Sequence, residues 1–370
     1  MEENQASLLN NMMTKADKVS SIREFIIKKI EDHPSDIAKL IVDAYAISRV
    51  TALKYLQLLI KQGIIEVSGK TKGRSYVLRE IVDTKIPVNI TQQTQEDIIW
   101  REEVKPLLRD LPENIRDICA HGFTEMFNNV LSHSQSSVAL ILIKRNAARI
   151  EITIVDKGIG IFKKIQQECH LNDLQHAILE LAKGKLTTDP AHHSGEGIFF
   201  TSRMFNFFMI GSQGVDFMRN DNNDWIMEGE PEDMSEDGTV VTMEIKTNAT
   251  QTAREVFDTY RSEFDSFGFS KTIIPLSLMR YEGEQLISRS QAKRLLARVD
   301  QFREIVLDFN GITMIGQAFA DEIFRVYRNE HPDIHLSHFN ASEEIVNMIK
   351  RVEGEGEASK SGQLFNEKMS

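Results

Sequence analysis

Glu125 and Asn129 stand four positions apart in the run Phe123-Thr124-Glu125-Met126-Phe127-Asn128-Asn129-Val130-Leu131-Ser132-His133-Ser134. On a helix that spacing puts both side chains on one face, where a carboxylate and a carboxamide can share one metal-bound polyphosphate. Further along comes Ile154-Val155-Asp156-Lys157-Gly158-Ile159-Gly160. Here an apolar strand ends in Asp-x-Gly-x-Gly, and glycines without a Cβ let the backbone approach a ligand closely. A third segment, Ser194-Gly195-Glu196-Gly197-Ile198, opens what reads as another helix. Backbone N–H groups at a glycine-rich helix start are a ready site for phosphate. Taken singly each segment is commonplace, since two glycines after an aspartate more often mark a turn than a nucleotide site. Their order and context carry the weight.

The elements that must hold these residues can be read around them. Residues 96–109 and 112–134 have helical patterning, the second helix carrying Glu125 and Asn129; 138–143 and 149–155 read as strands, the latter delivering Asp156. Thr239, in Asp237-Gly238-Thr239-Val240-Val241-Thr242, precedes a last strand.

Together and in this order, the segments resemble the N, G1 and G2 boxes of the GHKL ATP-binding fold, the superfamily of gyrase, mismatch-repair ATPases, sensor histidine kinases and anti-sigma-factor serine kinases. The resemblance covers residues 95–250 and implies an α/β sandwich binding ATP and Mg²⁺. It casts Glu125 as the general base that polarises the attacking water and Asn129 as the protein ligand of Mg²⁺. Asp156 would accept a hydrogen bond from the adenine amino group, with the Thr239 hydroxyl meeting that aspartate. Gly158 and Gly160 would run beside the base, and Ser194, Gly195 and Gly197 would lie against the phosphates. Residues 162–193 correspond to the segment that covers the nucleotide, so Lys183 or Lys185 is expected at the γ-phosphate. His192 and His193 lack the partners a metal site needs.

At 370 residues, 41% apolar and 27% charged, the chain is expected to be a multidomain globular α/β protein. No apolar run approaches a membrane span and no signal-peptide pattern opens the chain. Two cysteines, Cys119 and Cys169, fit a reducing compartment, so the expectation is a cytoplasmic protein without membrane contact. A net charge of -11 disfavours non-specific nucleic-acid binding by the chain as a whole, though not by a locally basic module.

Residues 18–80 supply such a module. Helical patterns at 19–30, 37–42 (Ser35 as cap) and 49–62 (Ser48 as cap) precede a hairpin, 64–67 and 75–78, with a basic tip. This resembles a winged helix-turn-helix. It implies DNA contact through Arg49, Thr51 and Lys54 on the recognition helix and Lys70, Lys72 and Arg74 on the wing. Residues 81–95 read as a polar connector.

Residues 265–352 alternate strands (272–275, 304–309, 334–339) with helices (288–300, 316–329, 341–351), the pattern of a small α/β domain. The run from Leu307 to Glu322 resembles a STAS-like domain, the fold of anti-sigma-factor antagonists. Those antagonists begin the matching helix with a phosphorylatable serine; this chain has Gln317 there, so the phospho-switch does not carry over. A docking role is expected instead, on the same chain, a second copy or a protein partner. Phe319, Ile323, Phe324 and Tyr327 would form the docking face, with Asp321 and Glu322 pointing outward. Residues 353–370 are expected to be a disordered tail.

Function then falls among three readings: an ATP-hydrolysing regulator coupling nucleotide state to DNA or partner binding, an anti-sigma-type serine/threonine kinase, or a non-hydrolysing nucleotide sensor. A sensor histidine kinase is disfavoured, because His121 lies on the N-box helix itself and no dimerisation hairpin precedes it.

Overall fold

The structure is a computed structural model that describes residues 14–70, 73–186, 195–220, 223–228, 237–262, 268–279 and 284–354. The chain is a multidomain α/β protein. It divides into two compact units: residues 1–86 with 141–152 and 244–249, and residues 87–140 with 153–243 and 250–370.

The first unit opens with three helices, α1 (Lys15–Lys29), α2 (Ile37–Tyr45) and α3 (Arg49–Lys61), and a hairpin of β1 (Ile65–Ser68) and β2 (Ser75–Leu78). Helix α1 begins before the expected 19, because Thr14 and Asp17 form a capping box. Ser48 caps α3, accepting from the Thr51 N–H at 3.2 Å. Ser35 is not the cap of α2; Asp36 stands there and makes no side-chain capping bond. Ile22, Ile26, Ile30, Ile41, Leu56 and Leu59 form the core with Ile65, Tyr76 and Leu78 of the hairpin. Helical spacing on α1 and alternation on β2 place these side chains inward.

Residues 82–89, expected as connector, form strand β3 (Val82–Asn89). Its neighbours are β4 (Val138–Arg145) and β5 (Arg149–Asp156), reached through a helical segment α4 (Glu96–Ile99, Trp100–Val104, Lys105–Leu108) and helix α5 (Glu113–Asn129), which runs into a π turn, Val130–Ser134. Then follow α6 (Ile161–Cys169), α7 (Leu174–Lys183), α8 (Gly197–Met204), β6 (Phe207–Ser212), β7 (Val215–Asn220), β8 (Asn223–Glu228) and β9 (Thr239–Lys246). The seven-stranded sheet has the order β3-β4-β5-β9-β6-β7-β8. Placing β9 beside β5 brings Thr239 next to Asp156, although 83 positions of sequence separate them. Phe123 and Phe127 of α5, stacked with centroids 5.5 Å apart, anchor that helix so that its C-terminal turn is held in register.

After α9 (Ala253–Thr259) comes a second, three-stranded sheet: β10 (Lys271–Pro275), β11 (Glu304–Asp308) and β12 (His335–Phe339), all parallel in the order β10-β11-β12. Parallel neighbours require crossovers. These are α10 (Arg289–Leu296), capped by a Ser288–Gln291 box, and a long helix α11 (Gln317–Asp321, Glu322–Tyr327, Arg328–Glu330). Helix α12, at 343–354, follows.

Two expectations for this region are corrected. Phe319, Ile323 and Phe324 are fully or almost fully buried inside the small domain, and Tyr327 nearly so, so they are its core and not a docking face. Asp321 accepts from Arg289 and Arg325, and Glu322 faces Lys293 at 3.8 Å; neither carboxylate points outward unpartnered. The core role follows from the parallel sheet, which must be covered by the apolar stripe of its own crossover helix. Residues 355–370 of the expected tail lie outside the described residues.

Candidate active site

A cavity of about 370 Å³ lies within the second unit, in the size range of small-ligand sites. Its walls bring together Glu125, Asn129, Asp156, Gly160, Gly195, Gly197 and Thr239. Gly158 stands behind the wall, its N–H donating to Asp156 Oδ1 at 2.7 Å. Ser194 lies outside the described residues, as do Lys72 and the segment 187–193.

Asp156 closes β5 and is 5% exposed. Burial pushes its carboxyl above the ordinary range, while hydrogen bonds from Gly158 and Thr239 pull in the other direction without cancelling it. The Thr239 hydroxyl accepts the Ile161 N–H at 3.1 Å, which leaves its own proton for the Asp156 carboxylate. The result is a fixed acceptor at the wall of a desolvated pocket, suited to one donor N–H of a ligand.

Close approach requires one glycine and favours a second. A Cβ at Gly158 would overlap the Ser134 carbonyl, and one at Gly197 would overlap the Glu125 carboxylate. Helix α8 therefore starts directly against the Glu125 carboxylate, its first turn forming part of the same wall as Glu125 and Asn129.

The expected lysines are elsewhere. Lys183, 1% exposed, donates to Glu180 Oε1 at 2.6 Å and to the carbonyls of Arg294 and Ala297 at 3.2 and 3.0 Å. Lys185 Nζ donates to the Gln301 carbonyl at 3.0 Å and lies over the Phe302 ring. Both side chains thus hold the end of α7 to the domain built on β10–β12. The Lys183 backbone does so too, accepting from Thr272 Oγ1 at 2.7 Å. The hydrogen-bond partners of Lys183 Nζ are all acceptors; burial holds its pKa below the ordinary lysine range, with Glu180 opposing and the charges of Arg298 and Arg294 adding to the lowering. Burial also pushes Glu180 up, but His176 and Lys183 bring it below the ordinary range.

Among the described residues the cation that lines the cavity is Lys164 of α6, accompanied by His133 of the π turn. Neither was singled out for a role by the sequence. The signal available was the spacing Ile161, Lys164, Ile165, which shares one face of α6.

Among the described residues no group of three or more His, Cys, Asp or Glu side chains gathers to hold a metal, and no helix is long and apolar enough to cross a membrane. Asp308 accepts from the Asn310 N–H and from Asn340 Nδ2, both at 2.9 Å.

Residues 291–346, from α10 into α12, match a family described as a STAS-like domain of unknown function (DUF4325). The chain contains a STAS-like domain. No curated protein matches the chain. In the STAS-like domain Gln317 opens α11 directly after Gly316. The carbonyls gripped by Lys183 lie at the C-terminal end of the STAS-like domain's α10.

Proposed function

We propose that the second unit is a GHKL-type ATP-binding module that hydrolyses ATP and passes its nucleotide state to the STAS-like domain. The observation that carries the reading is convergence: Glu125, Asn129, Asp156, Thr239, Gly195 and Gly197, drawn from four separate stretches of chain, line one cavity. The donor set fits Mg-ATP. Asn129 offers the hard amide oxygen that Mg²⁺ accepts beside phosphate and water. Asp156 offers an acceptor to the adenine amino group, where guanine would present a carbonyl. Mg²⁺, when bound with the nucleotide, neutralises charge developing on the phosphates. Glu125 takes the proton of the attacking water, and the apolar cavity walls limit competing solvent.

Coupling is supported by α7. Its residue Leu181 lines the cavity, while its end is tied to the STAS-like domain through Lys183. Any ligand-dependent displacement of α7 therefore loads those bonds.

In the first unit we propose a winged helix-turn-helix that contacts DNA. Arg49 and Lys54 on α3, and Lys70 and Arg74 at the hairpin tip, are exposed, with Thr51 half-buried between them. A cationic helix face beside a cationic loop suits a groove and its phosphates.

Labelled ATP given to the full chain separates hydrolysis, phosphotransfer and sensing. Hydrolysis releases phosphate, an anti-sigma-type kinase gives phosphoprotein once a partner is added, and a sensor gives neither. Glu125→Ala is expected to retain Mg-ATP and to lose turnover by about 10²–10⁴-fold; parental turnover in that variant refutes the base assignment.

A further inference from the structure

We propose that Lys164, oriented by His133, is the side chain that grips the polyphosphate of the bound nucleotide. This rests on the nucleotide reading of the cavity given above. The cavity wall carries the carboxylates Glu125 and Asp156, and a polyanion entering beside them needs a compensating charge. Among the described residues of that wall, Lys164 is the Lys or Arg side chain that supplies it. Lys183 and Lys185, the residues the sequence pattern puts forward, are held by main-chain carbonyls of the STAS-like domain and its approach.

The geometry around Lys164 is that of an oriented donor. Its ammonium lies 3.2 Å from His133 Nδ1 and 3.4 Å from the His133 carbonyl, with the side chain only 16% exposed. An ammonium has no lone pair, so Nδ1 must accept, which fixes His133 as the neutral tautomer protonated at Nε2. Two of the three ammonium protons are thereby directed at one residue. Among the described residues the third faces no hydrogen-bond acceptor at normal range; Glu168 Oε1 is 3.7 Å away on a 43% exposed side chain. At that distance, with its carboxylate open to solvent, the i,i+4 pair is weak and is readily exchanged for a phosphate oxygen. Asn129 precedes the π turn that carries His133, so the metal ligand and the cation's holder lie on one continuous stretch of helix. The class of ligand selected is a nucleoside di- or triphosphate over a nucleoside.

The test is calorimetric titration of the full chain with adenosine, Mg-ADP and Mg-ATP, for the parent, Lys164→Met, Lys164→Arg, His133→Asn and Asp156→Asn. Lys164→Met is expected to weaken ADP and ATP by about 10–100-fold and to leave adenosine unchanged. Lys164→Arg should restore most of the loss, since it keeps the charge, which also shows that the Met variant's defect is not misfolding. His133→Asn, a positioning change, should weaken ATP by less than Lys164→Met and leave adenosine unchanged. Asp156→Asn should weaken all three ligands alike. If Lys164→Met binds ATP as the parent does while Asp156→Asn loses it, the cavity is a nucleotide site and the Lys164 assignment is overturned. If the parent binds none of the three ligands, the nucleotide reading falls and takes this assignment with it.

Discussion

Lys164 and Lys183 occupy consecutive helices, α6 and α7, and face opposite ways in function. Lys183 is sealed among Glu180 and two carbonyls at the C-terminal end of the STAS-like domain's α10, where all its donors are satisfied. Lys164 stands at the rim of the cavity with His133 and an exposed glutamate. One lysine is a rivet between domains and the other is a side chain in waiting. A lysine's chemistry is thus decided less by its own helix than by what the fold brings against it: fixed main-chain acceptors make a structural ion, and a half-open wall leaves a donor for a ligand.

The contrast can be broken at its strong end first. Lys183→Met leaves Glu180 buried beside acceptors and should cost about 3–5 kcal/mol of stability, measured by denaturant unfolding. Adding Glu180→Gln should recover part of that, because the uncompensated charge is gone. Lys164→Met, on a rim site, should shift stability by less than about 1 kcal/mol. Equal losses for the two lysines would erase the distinction. Acid sharpens it: Glu180 is held below its ordinary range, so its contribution is complete above the unfolded-state pKa and disappears as pH falls through the folded-state one. The stability gap between the parent and the Lys183→Met/Glu180→Gln double variant should therefore narrow on acidification.

Asp156 titrates the other way. Its carboxyl is pushed up by burial, so it protonates sooner than an exposed aspartate as pH falls. Affinity for a ligand that donates to it should weaken on acidification before the rest of the surface carboxylates have titrated, and Asp156→Asn should abolish that dependence.

The smallest expected effects lie in the first unit. Charge reversal at Lys70 and Arg74 should weaken DNA binding at every sequence and flatten its salt dependence, since phosphate contacts carry no sequence information. Changes at Arg49 or Lys54 should alter sequence preference instead. Failure of the full chain to shift any genomic fragment at low salt would make this unit a protein-binding module.

Much of this was legible in the sequence because local rules agree with the fold: Ser48 caps α3, the alternation of β2 gives its buried face, and Glu125 and Asn129 share a helix turn. Strand β3 was not, because its charges and Pro87 read as linker. An edge strand tolerates both, with one side exposed and one N–H position needing no partner. The sequence reading likewise assigns nothing to β6–β8, whose short strands are separated by Gln213-Gly214 and Asn220–Asn223 and carry polar alternation. The role of Lys183 was hidden for a different reason. Its partners Arg294 and Ala297 are more than a hundred residues away and contribute only carbonyls, which no side-chain pattern announces.

Nucleotide selectivity is the most direct test of the account. Mg-ATP and Mg-GTP are titrated calorimetrically into the full chain and into Asp156→Asn. ATP is expected to bind, GTP to compete poorly, and Asp156→Asn to lose about 1–3 kcal/mol of ATP affinity. Equal affinity for ATP and GTP, or an Asp156→Asn variant that binds ATP as the parent does, would contradict it.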